Sequence, residues 1–306
     1  MPVTRPDAAT EVFQAQRPRL LRLAYRMLGS LAEAEDIVQE AWLRWQRADR
    51  AAVQAPAAYL GRTVTRLCLD ALKSARARRE TYVGAWLPEP LAEAVVAPQS
   101  ETLPSDELTY TLMLALERLS PLERAAFLLH DVFAVPAAEV AETLERDPAA
   151  VRQLAARARK HIRAARPRYQ IAREEGERIA RAFFAASTSG DTAALSGLLA
   201  ENAVLISDGG GKVLAFHNPI VGLQRILRLF AGLARKRVSD PAGFIRPLWI
   251  DGLPGFLSRT RGDILQTTAL QIEDGRITAI YITRNPDKLT RIAAAAGNAA
   301  EPSRPH

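Results

Sequence analysis

The chain has 306 residues, of which 48% are apolar and 25% are charged, and its formal net charge is +7. This composition predicts a soluble globular protein with two or three domains, and no apolar run is long enough for a membrane span or an export signal. A single cysteine, Cys68, and four scattered histidines exclude an internal disulfide and a zinc site of familiar spacing. We therefore expect a cytoplasmic protein without a metal or a cofactor.

Charge is distributed along the chain in three blocks. Residues 62–79 hold six basic side chains against one acid, and residues 146–168 hold eight against one. Residues 80–117, between them, hold seven acids and no lysine or arginine. Two separated basic segments favour two contacts with a polyanion, because clustered arginine and lysine bind phosphate groups. A solvated helix face is the alternative for either segment alone.

Helical periodicity dominates the first part of the chain. Apolar residues at spacings of three and four predict helices over 12–28, from Ser30 onward and over 57–79. Gly29 ends the first helix, and Ser30 has the position of an N-cap for the second. Four prolines interrupt residues 81–106, which we interpret as a linker. Further helices are predicted over 107–119, 121–131, 136–144 and 148–165.

The segment 136–165 has the pattern of a helix-turn-helix, because only three residues separate its two amphipathic helices. Asp147 is placed to cap the second helix, and Pro148 to occupy its first turn. Arginine and glutamine near the exposed start of such a helix read base edges in the major groove, and basic residues further along bind phosphates. The candidate DNA-binding residues are Ala149, Arg152, Gln153, Arg157, Arg159 and Lys160. A helical pair with a basic surface is the alternative.

The pattern changes after residue 171. A helix through Phe183 and a shorter one capped by Asp191 precede a series of strands. Asp-Gly pairs at residues 208, 251 and 274 are turn signals. Helices followed by a largely antiparallel run of strands predict an α+β domain, with a disordered tail over 295–306. The predicted strands are 203–207, 213–217, 243–250, 256–260, 264–272 and 277–283, with one helix over 219–235.

Residues 12–166 resemble a bacterial extracytoplasmic-function sigma factor of the sigma-70 family. The resemblance is carried by AEDIVQEAW at 34–42, by YLxR at 59–62 with LCLD at 67–70, and by VRQL at 151–154 with RAR at 157–159. More narrowly, the chain is similar to the subgroup that has a fused SnoaL-like C-terminal domain. The motifs of that subgroup are WLPEP at 86–90, DGGGK at 208–212 and NPDKL at 285–289.

The resemblance implies a multidomain fold, in which two all-α sigma domains, the second a helix-turn-helix, precede an α+β SnoaL-like cone domain. The implied parts are sigma domain 2 (1–80), an acidic linker (81–106), sigma domain 4 (107–168), a regulatory domain (171–294) and the tail (295–306). Domain 4 would bind the -35 promoter element. Domain 2 would contact core RNA polymerase through Asp36, Gln39 and Glu40, and the -10 element through Arg62, Arg66, Lys73 and Arg76.

The implied function is that of an alternative sigma factor, which directs core RNA polymerase to promoter DNA and initiates transcription. Its own C-terminal domain would modulate it, so that no separate anti-sigma factor is expected. The acidic linker would thread a positively lined RNA channel of the polymerase. The implied interdomain residues are Tyr82, Trp86, Pro88, Glu89, Pro90, Asp208, Gly209, Gly210, Gly211, Lys212, Asn285, Pro286, Asp287, Lys288 and Leu289.

Two other functions fit parts of the sequence. SnoaL-like folds include cyclases and isomerases with a conical pocket, for which Asp208, His217 and Asp263 would be the acid/base candidates. A pocket that senses an unidentified small-molecule ligand without catalysis is a further alternative, and we expect no catalytic residue. A dimeric repressor would use the same helix-turn-helix, but it needs neither an acidic polymerase-binding helix nor a second basic helix.

Overall fold

The computed structural model describes residues 8–79, 84–92, 110–165, 171–236, 242–260 and 262–298. These residues fall into two units. Residues 8–79 and 111–165 form the first unit. The second unit contains 84–92, Tyr110 and the described residues from 171 onward. A segment that the sequence places in a linker therefore packs with the C-terminal part of the chain.

The first unit begins with three long helices, α1 (Ala8–Leu28), α2 (Leu31–Arg47) and α3 (Pro56–Arg79). Their apolar stripes bury Leu20, Val38 and Val64 almost completely. Gly29, at a φ of 72°, ends α1, and the Ser30 hydroxyl accepts a hydrogen bond from the amide three residues later. The three predicted helices and the cap are confirmed. Cys68 is buried in α3, and this burial raises the pKa of its thiol.

Shorter helices complete the first unit, although Tyr110, the first residue of the first of them, belongs to the second unit. They are α4 (Tyr110–Glu117), α5 (Pro121–Phe127), one π-helical turn (Leu128–Val132), α6 (Ala137–Leu144) and α7 (Pro148–Ala165). The predicted helix over 121–131 is thus divided by the π turn. Asp147 caps α7 as predicted, because its carboxylate accepts hydrogen bonds from the amides of Ala150 and Ala149 at 3.0 and 2.9 Å. These hydrogen bonds lower the pKa of Asp147.

The second unit has an α+β fold, as predicted. Its elements are α8 (Arg173–Ser189), α9 (Thr192–Leu198), β1 (Leu199–Asp208), β2 (Ile220–Val221), α10 (Leu223–Lys236), β3 (Gly243–Ile250), β4 (Leu253–Thr260), β5 (Ile264–Glu273), β6 (Arg276–Thr283) and α11 (Pro286–Asn298). The strands form one sheet in the order β2-β1-β6-β5-β4-β3. The β1 and β6 strands are parallel, and every other neighbouring pair is antiparallel.

Local sequence signals explain much of this sheet. The hairpins β3-β4 and β5-β6 turn at Asp251-Gly252 and Asp274-Gly275, where all four residues have positive φ. This is the backbone that Asp-Gly pairs favour in tight hairpins. Asp191 caps α9 through the amides of Ala193 and Ala194, also as predicted. Aromatic and aliphatic side chains from α8, α10 and the sheet form the core of this unit.

Three predictions of local structure are wrong. Residues 213–217 form a loop rather than a strand, because the glycine run folds back and the amides of Lys212 and Val213 both donate to the Gly209 carbonyl. The helix predicted over 219–235 starts only at Leu223, since the preceding residues pair with β1 as β2. Helix α11 continues to Asn298, so the predicted tail begins too early; residues 299–306 lie outside the described residues.

Within the described ranges, no helix is both long and apolar enough to cross a membrane. The same residues include no group of three or more His, Cys, Asp or Glu that could hold a metal ion.

Candidate functional site

The exposed face of α7 carries the residues predicted to bind the -35 element. Five of them are exposed, and Arg159 is half-buried; the exposed residues are Ala149, Arg152, Gln153, Arg157 and Lys160. Two of the arginines are oriented by acids of neighbouring helical segments, since Arg157 lies 3.0 Å from Glu123 and Arg159 lies 2.7 Å from Asp131. Helix α7 therefore presents two arginines that ion pairs hold in place, next to the exposed side chains of Arg152, Gln153 and Lys160.

The residues predicted to bind the -10 element lie along α3, and two of them contact the helix-turn-helix. Arg62 donates a hydrogen bond to Glu142 at 3.0 Å, and Arg66 lies 2.9 Å from Glu145. Both acids belong to the end of α6. In this arrangement the two arginines face carboxylates, with which phosphate groups would compete.

The other two residues of this set lie further along α3. Lys73 is exposed and pairs with Asp70 at 3.0 Å within the helix. Arg76 belongs to the last turns of α3, and its side chain lies outside the described ones.

The residues predicted to bind core polymerase lie on the outer face of α2. Asp36 and Gln39 are exposed. Glu40 pairs with Arg44 at 2.8 Å, one turn later on the same helix. The opposite face of α2 buries Val38 and Trp45, so its acidic face is free of the core packing.

The linker segment 84–92 is held in the second unit by a buried ion pair. The Leu87 amide donates to Oδ2 of Asp208 at 2.9 Å. The Lys288 ammonium lies 2.7 Å from the same oxygen and donates to the Leu87 carbonyl at 2.5 Å. It also lies 4.1 Å from the centre of the Trp86 ring, within the range of a cation-π contact. The side chain of Asp208 is fully buried, and that of Lys288 is 10% exposed.

The DGGGK and NPDKL motifs meet each other beside this ion pair. Lys212 forms an exposed ion pair with Asp287 at 2.6 Å. A Cβ atom on Gly210 would lie only 2.4 Å from the side chain of Asn285, so this close approach requires glycine. The Asn285 amide donates to the Asp208 carbonyl at 3.1 Å. The structure thus brings residues from three predicted motifs into one cluster.

The remaining residues of the predicted interdomain set have varied positions. Pro88, Glu89, Pro90, Gly209 and Leu289 are buried, and Gly211 and Pro286 are exposed. Tyr82 lies outside the described residues.

A second anchor of the linker lies at Asp251, which the sequence pattern indicates only as a turn residue. The Leu91 amide donates to Oδ2 of Asp251 at 3.1 Å, and the Asp251 amide donates to the Leu91 carbonyl at 2.9 Å. The Tyr110 amide donates to the Asp251 carbonyl at 2.7 Å. Burial, together with the charge of nearby Glu89, raises the pKa of Asp251 to about 8. No local sequence signal distinguishes this aspartate from any other hairpin residue.

The acid/base candidates of the pocket-enzyme hypothesis do not come together. Asp208 is engaged by the linker, His217 is exposed, and the exposed Asp263 pairs with Arg259 at 2.7 Å. None of the three is among the described residues that line the large cavity of the second unit.

The raised pKa of Asp251 predicts a pH-dependent stability of the second unit. Because the folded state binds this proton more tightly than an unfolded chain, whose carboxyl titrates near 3.8, the contribution of Asp251 is fully present below about pH 4. It is lost progressively as the pH rises to about 8. We expect Asp251→Asn to raise the thermal midpoint at pH 8 and to flatten its pH dependence.

The matched control is Asp263→Asn, which changes an exposed hairpin aspartate that also has positive φ. Thermal unfolding followed between pH 5 and pH 8 compares the two variants. Equal pH profiles for Asp251→Asn and the unmodified chain would contradict the assignment.

The chain is similar to known proteins along most of its length. Family models described as Sigma-70 region 2 and Sigma-70, region 4 match residues 12–78 and 110–162. The ECF RNA polymerase sigma factor SigJ of Mycobacterium tuberculosis is 38% identical over 294 residues, which cover 91% of this chain and 92% of SigJ. The probable ECF RNA polymerase sigma factor SigI of the same species is 32% identical over 297 residues, covering 96% and 99%.

A solved structure is also similar over most of the chain. The crystal structure of the Mycobacterium tuberculosis extracytoplasmic function sigma factor SigJ aligns with a TM-score of 0.71 and 34% identity. The alignment covers 92% of this chain and 98% of that one. Both the helical part and the α+β part of the chain therefore have a counterpart in a single known protein.

Proposed function

This chain belongs to the extracytoplasmic-function RNA polymerase sigma factors, and we propose that its C-terminal domain controls promoter-specific initiation by holding the linker between its two sigma regions. The observation that carries the proposal is the burial of residues 87–92 in the second unit, with Leu87 bound by Asp208 and Lys288. Control then resides in the same chain rather than in a separate anti-sigma protein.

The proposed control depends on competition for one segment. In sigma factors of this kind the acidic linker is expected to thread a positively lined channel of the polymerase. The segment 84–92 has a buried core that includes Leu87 and Ala92, both 0% exposed. A segment buried in this way is not available to a channel. Docking on the C-terminal domain and insertion into the polymerase are therefore mutually exclusive, and the stability of the docked state sets the availability of the factor.

The promoter and polymerase contacts that we propose are those that the sequence assigns to α2, α3 and α7. Arg152 and Gln153 read base edges of the -35 element next to Ala149, while Arg157, Arg159 and Lys160 bind phosphates. Arg62, Arg66, Lys73 and Arg76 bind phosphates near the -10 element. Asp36, Gln39 and Glu40 contact core polymerase.

DNA binding by α3 requires Arg62 and Arg66 to leave Glu142 and Glu145. The side chains of the first pair are 39% and 64% exposed, and those of the second pair 46% and 73%. Ion pairs exposed to this degree contribute about 1 kcal/mol or less each. They form a weak restraint that promoter phosphates, in far greater number, can replace.

A catalytic function has less support than a regulatory one. The described lining of the large cavity contains no aspartate, glutamate or histidine, which are the side chains that most often transfer protons in such pockets. The proposal therefore assigns no chemical reaction to the domain.

The -35 assignment predicts the effect of Arg152→Ala combined with Gln153→Ala. Loss of two base-reading side chains should cost about 1–3 kcal/mol per contact and abolish the preference for the native -35 sequence, with core binding intact. Run-off transcription with core polymerase, on the promoter of the protein's own operon and on -35 variants, measures this preference. Arg163→Ala, further along α7, should weaken all templates equally. Unchanged promoter choice in the double variant would falsify the assignment.

The ion pair between Arg62 of α3 and Glu142 of α6 predicts that loss of Glu142 raises the affinity for DNA. Glu142→Gln removes the partner of Arg62, so the free protein should bind promoter DNA about twofold to fivefold more tightly. Glu139→Gln, one turn earlier on α6, makes the same charge change without that ion pair. Titration by fluorescence anisotropy compares the two. An equal gain in both variants would mean that only the net charge matters.

The linker proposal predicts that Lys288→Met loosens residues 84–92. Removing one member of a buried ion pair typically costs about 3–5 kcal/mol, so amide hydrogen exchange in a peptide over 84–92 should accelerate more than tenfold. Transcriptional output should change while promoter choice stays the same. Lys212→Met, which breaks the neighbouring exposed pair with Asp287, is the matched control and should leave exchange in 84–92 close to normal. Unaltered exchange in Lys288→Met contradicts the proposal.

A further inference from the structure

A large cavity in the second unit has no role in the proposed function. Its volume is about 440 Å³, within the range of sites that hold small organic molecules. Residues of α8, β1, α10, β4, β5 and β6 line it, together with the loop after the glycine run. All of these elements belong to the second unit.

Aromatic rings form much of the cavity wall. Five phenylalanines line it: Phe183, Phe184, Phe216, Phe230 and Phe256. Edge contacts fix their geometry, with ring centres 5.5 Å apart for Phe183 and Phe230 and 5.3 Å apart for Phe184 and Phe256. Such a wall favours a planar apolar ligand, which gains both burial and ring contacts.

Several polar groups of the cavity come from the strands and the residue after β6. Thr260, Gln266 and Thr268 line it, and Gln266 donates to the Thr268 hydroxyl at 3.2 Å. Arg284, just after β6, also lines the cavity and donates to the Thr260 hydroxyl at 3.1 Å. Hydroxyl and guanidinium groups are therefore in place to bind a polar end of the ligand.

The charge of the lining is of one sign. Among the described residues it contains three cationic side chains, Arg228, Lys236 and Arg284, and no acidic one. A cavity with apolar walls and one sign of charge concentrates ligands of the opposite charge. We propose that this cavity binds a small aromatic acid, whose ring lies among the phenylalanines and whose anionic group faces the basic residues.

Ligand binding would act on the linker through shared residues, a step that rests on the proposed function. Arg284 donates a side-chain hydrogen bond to the Leu214 carbonyl, and its amide donates to the Asp208 carbonyl at 2.7 Å. Leu214 and Arg284 both line the cavity, while Asp208 binds the Leu87 amide. A ligand that moves Arg284 or the loop at 214–216 therefore changes the position of the residue that holds the linker.

The cavity site is tested on the full chain with 1-anilinonaphthalene-8-sulfonate. This dye is an aromatic anion whose fluorescence reports binding. A Cβ atom at Gly232 would meet nothing within 4 Å, and Gly232 lines the cavity. Gly232→Leu should therefore place a branched side chain at the cavity wall, take up part of the ligand space and weaken dye binding about tenfold or more. Gly197→Leu is the matched control, since Gly197 is an exposed helical glycine with the same free space outside the lining.

The charge is tested with a second pair of variants. Arg228→Gln with Lys236→Gln should weaken binding of the anionic dye about fivefold. Arg225→Gln with Arg235→Gln removes two charges from the same helix outside the lining and should have little effect. The uncharged analogue N-phenyl-1-naphthylamine should bind equally to both. Dye binding that is indifferent to Gly232→Leu and to both charge pairs overturns the site.

The proposed effect of a cavity ligand on the linker is measured separately. Saturating dye should change hydrogen exchange over 84–92. Because coupling between two sites is reciprocal, the dye should bind the state with the linker docked and the state with the linker released with different affinities, so Lys288→Met should shift dye affinity towards that of the released state. Specific dye binding with unchanged exchange overturns the link and leaves the cavity site standing. If the linker does not control transcription, the transcription and exchange measurements on Lys288→Met show this without dye.

Discussion

The buried ion pair between Asp208 and Lys288 is the interaction on which the arrangement of the second unit depends. Burial of two charges is costly unless hydrogen bonds satisfy both groups. Here the linker provides those bonds, because the Leu87 amide donates to Asp208 and the Leu87 carbonyl accepts from Lys288. The buried ion pair therefore has these two hydrogen bonds only when the linker is bound. The linker thus acts as a ligand of the C-terminal domain of its own chain.

Two restraints of different strength act on the free chain. The pairs of Arg62 and Arg66 with α6 are half exposed and contribute little, so DNA can replace them. The linker is held at two buried points, Asp208 and Asp251, and its release exposes apolar surface as well as charge. Linker release is thus the larger free-energy step, and it is the one that a ligand of the adjacent cavity is placed to influence.

Sequence patterns predict the local features of this fold well and its long-range contacts poorly. Caps at Ser30 and Asp147 depend on residues within three positions, and their patterns are specific. The strand expected at 213–217 is absent because the preceding glycines fold the chain back, which alternation of side chains does not encode. The bond between Leu91 and Asp251 joins residues 160 positions apart. The family motifs indicate Asp208 and its neighbours as site residues. The role of Asp251 and the cavity become visible only in the folded structure, because they depend on contacts between distant parts of the chain.

In the proposed control, docking of residues 84–92 on the C-terminal domain and insertion of the linker into the polymerase exclude each other. Hydrogen exchange over 84–92, compared between the free protein and its complex with core RNA polymerase, tests this most directly. We expect the peptide to be protected in the free protein and to lose its hydrogen bonds to Asp208 and Asp251 in the complex. Lys288→Met should then no longer change its exchange in the complex. Protection in the complex that remains sensitive to Lys288→Met would contradict the account.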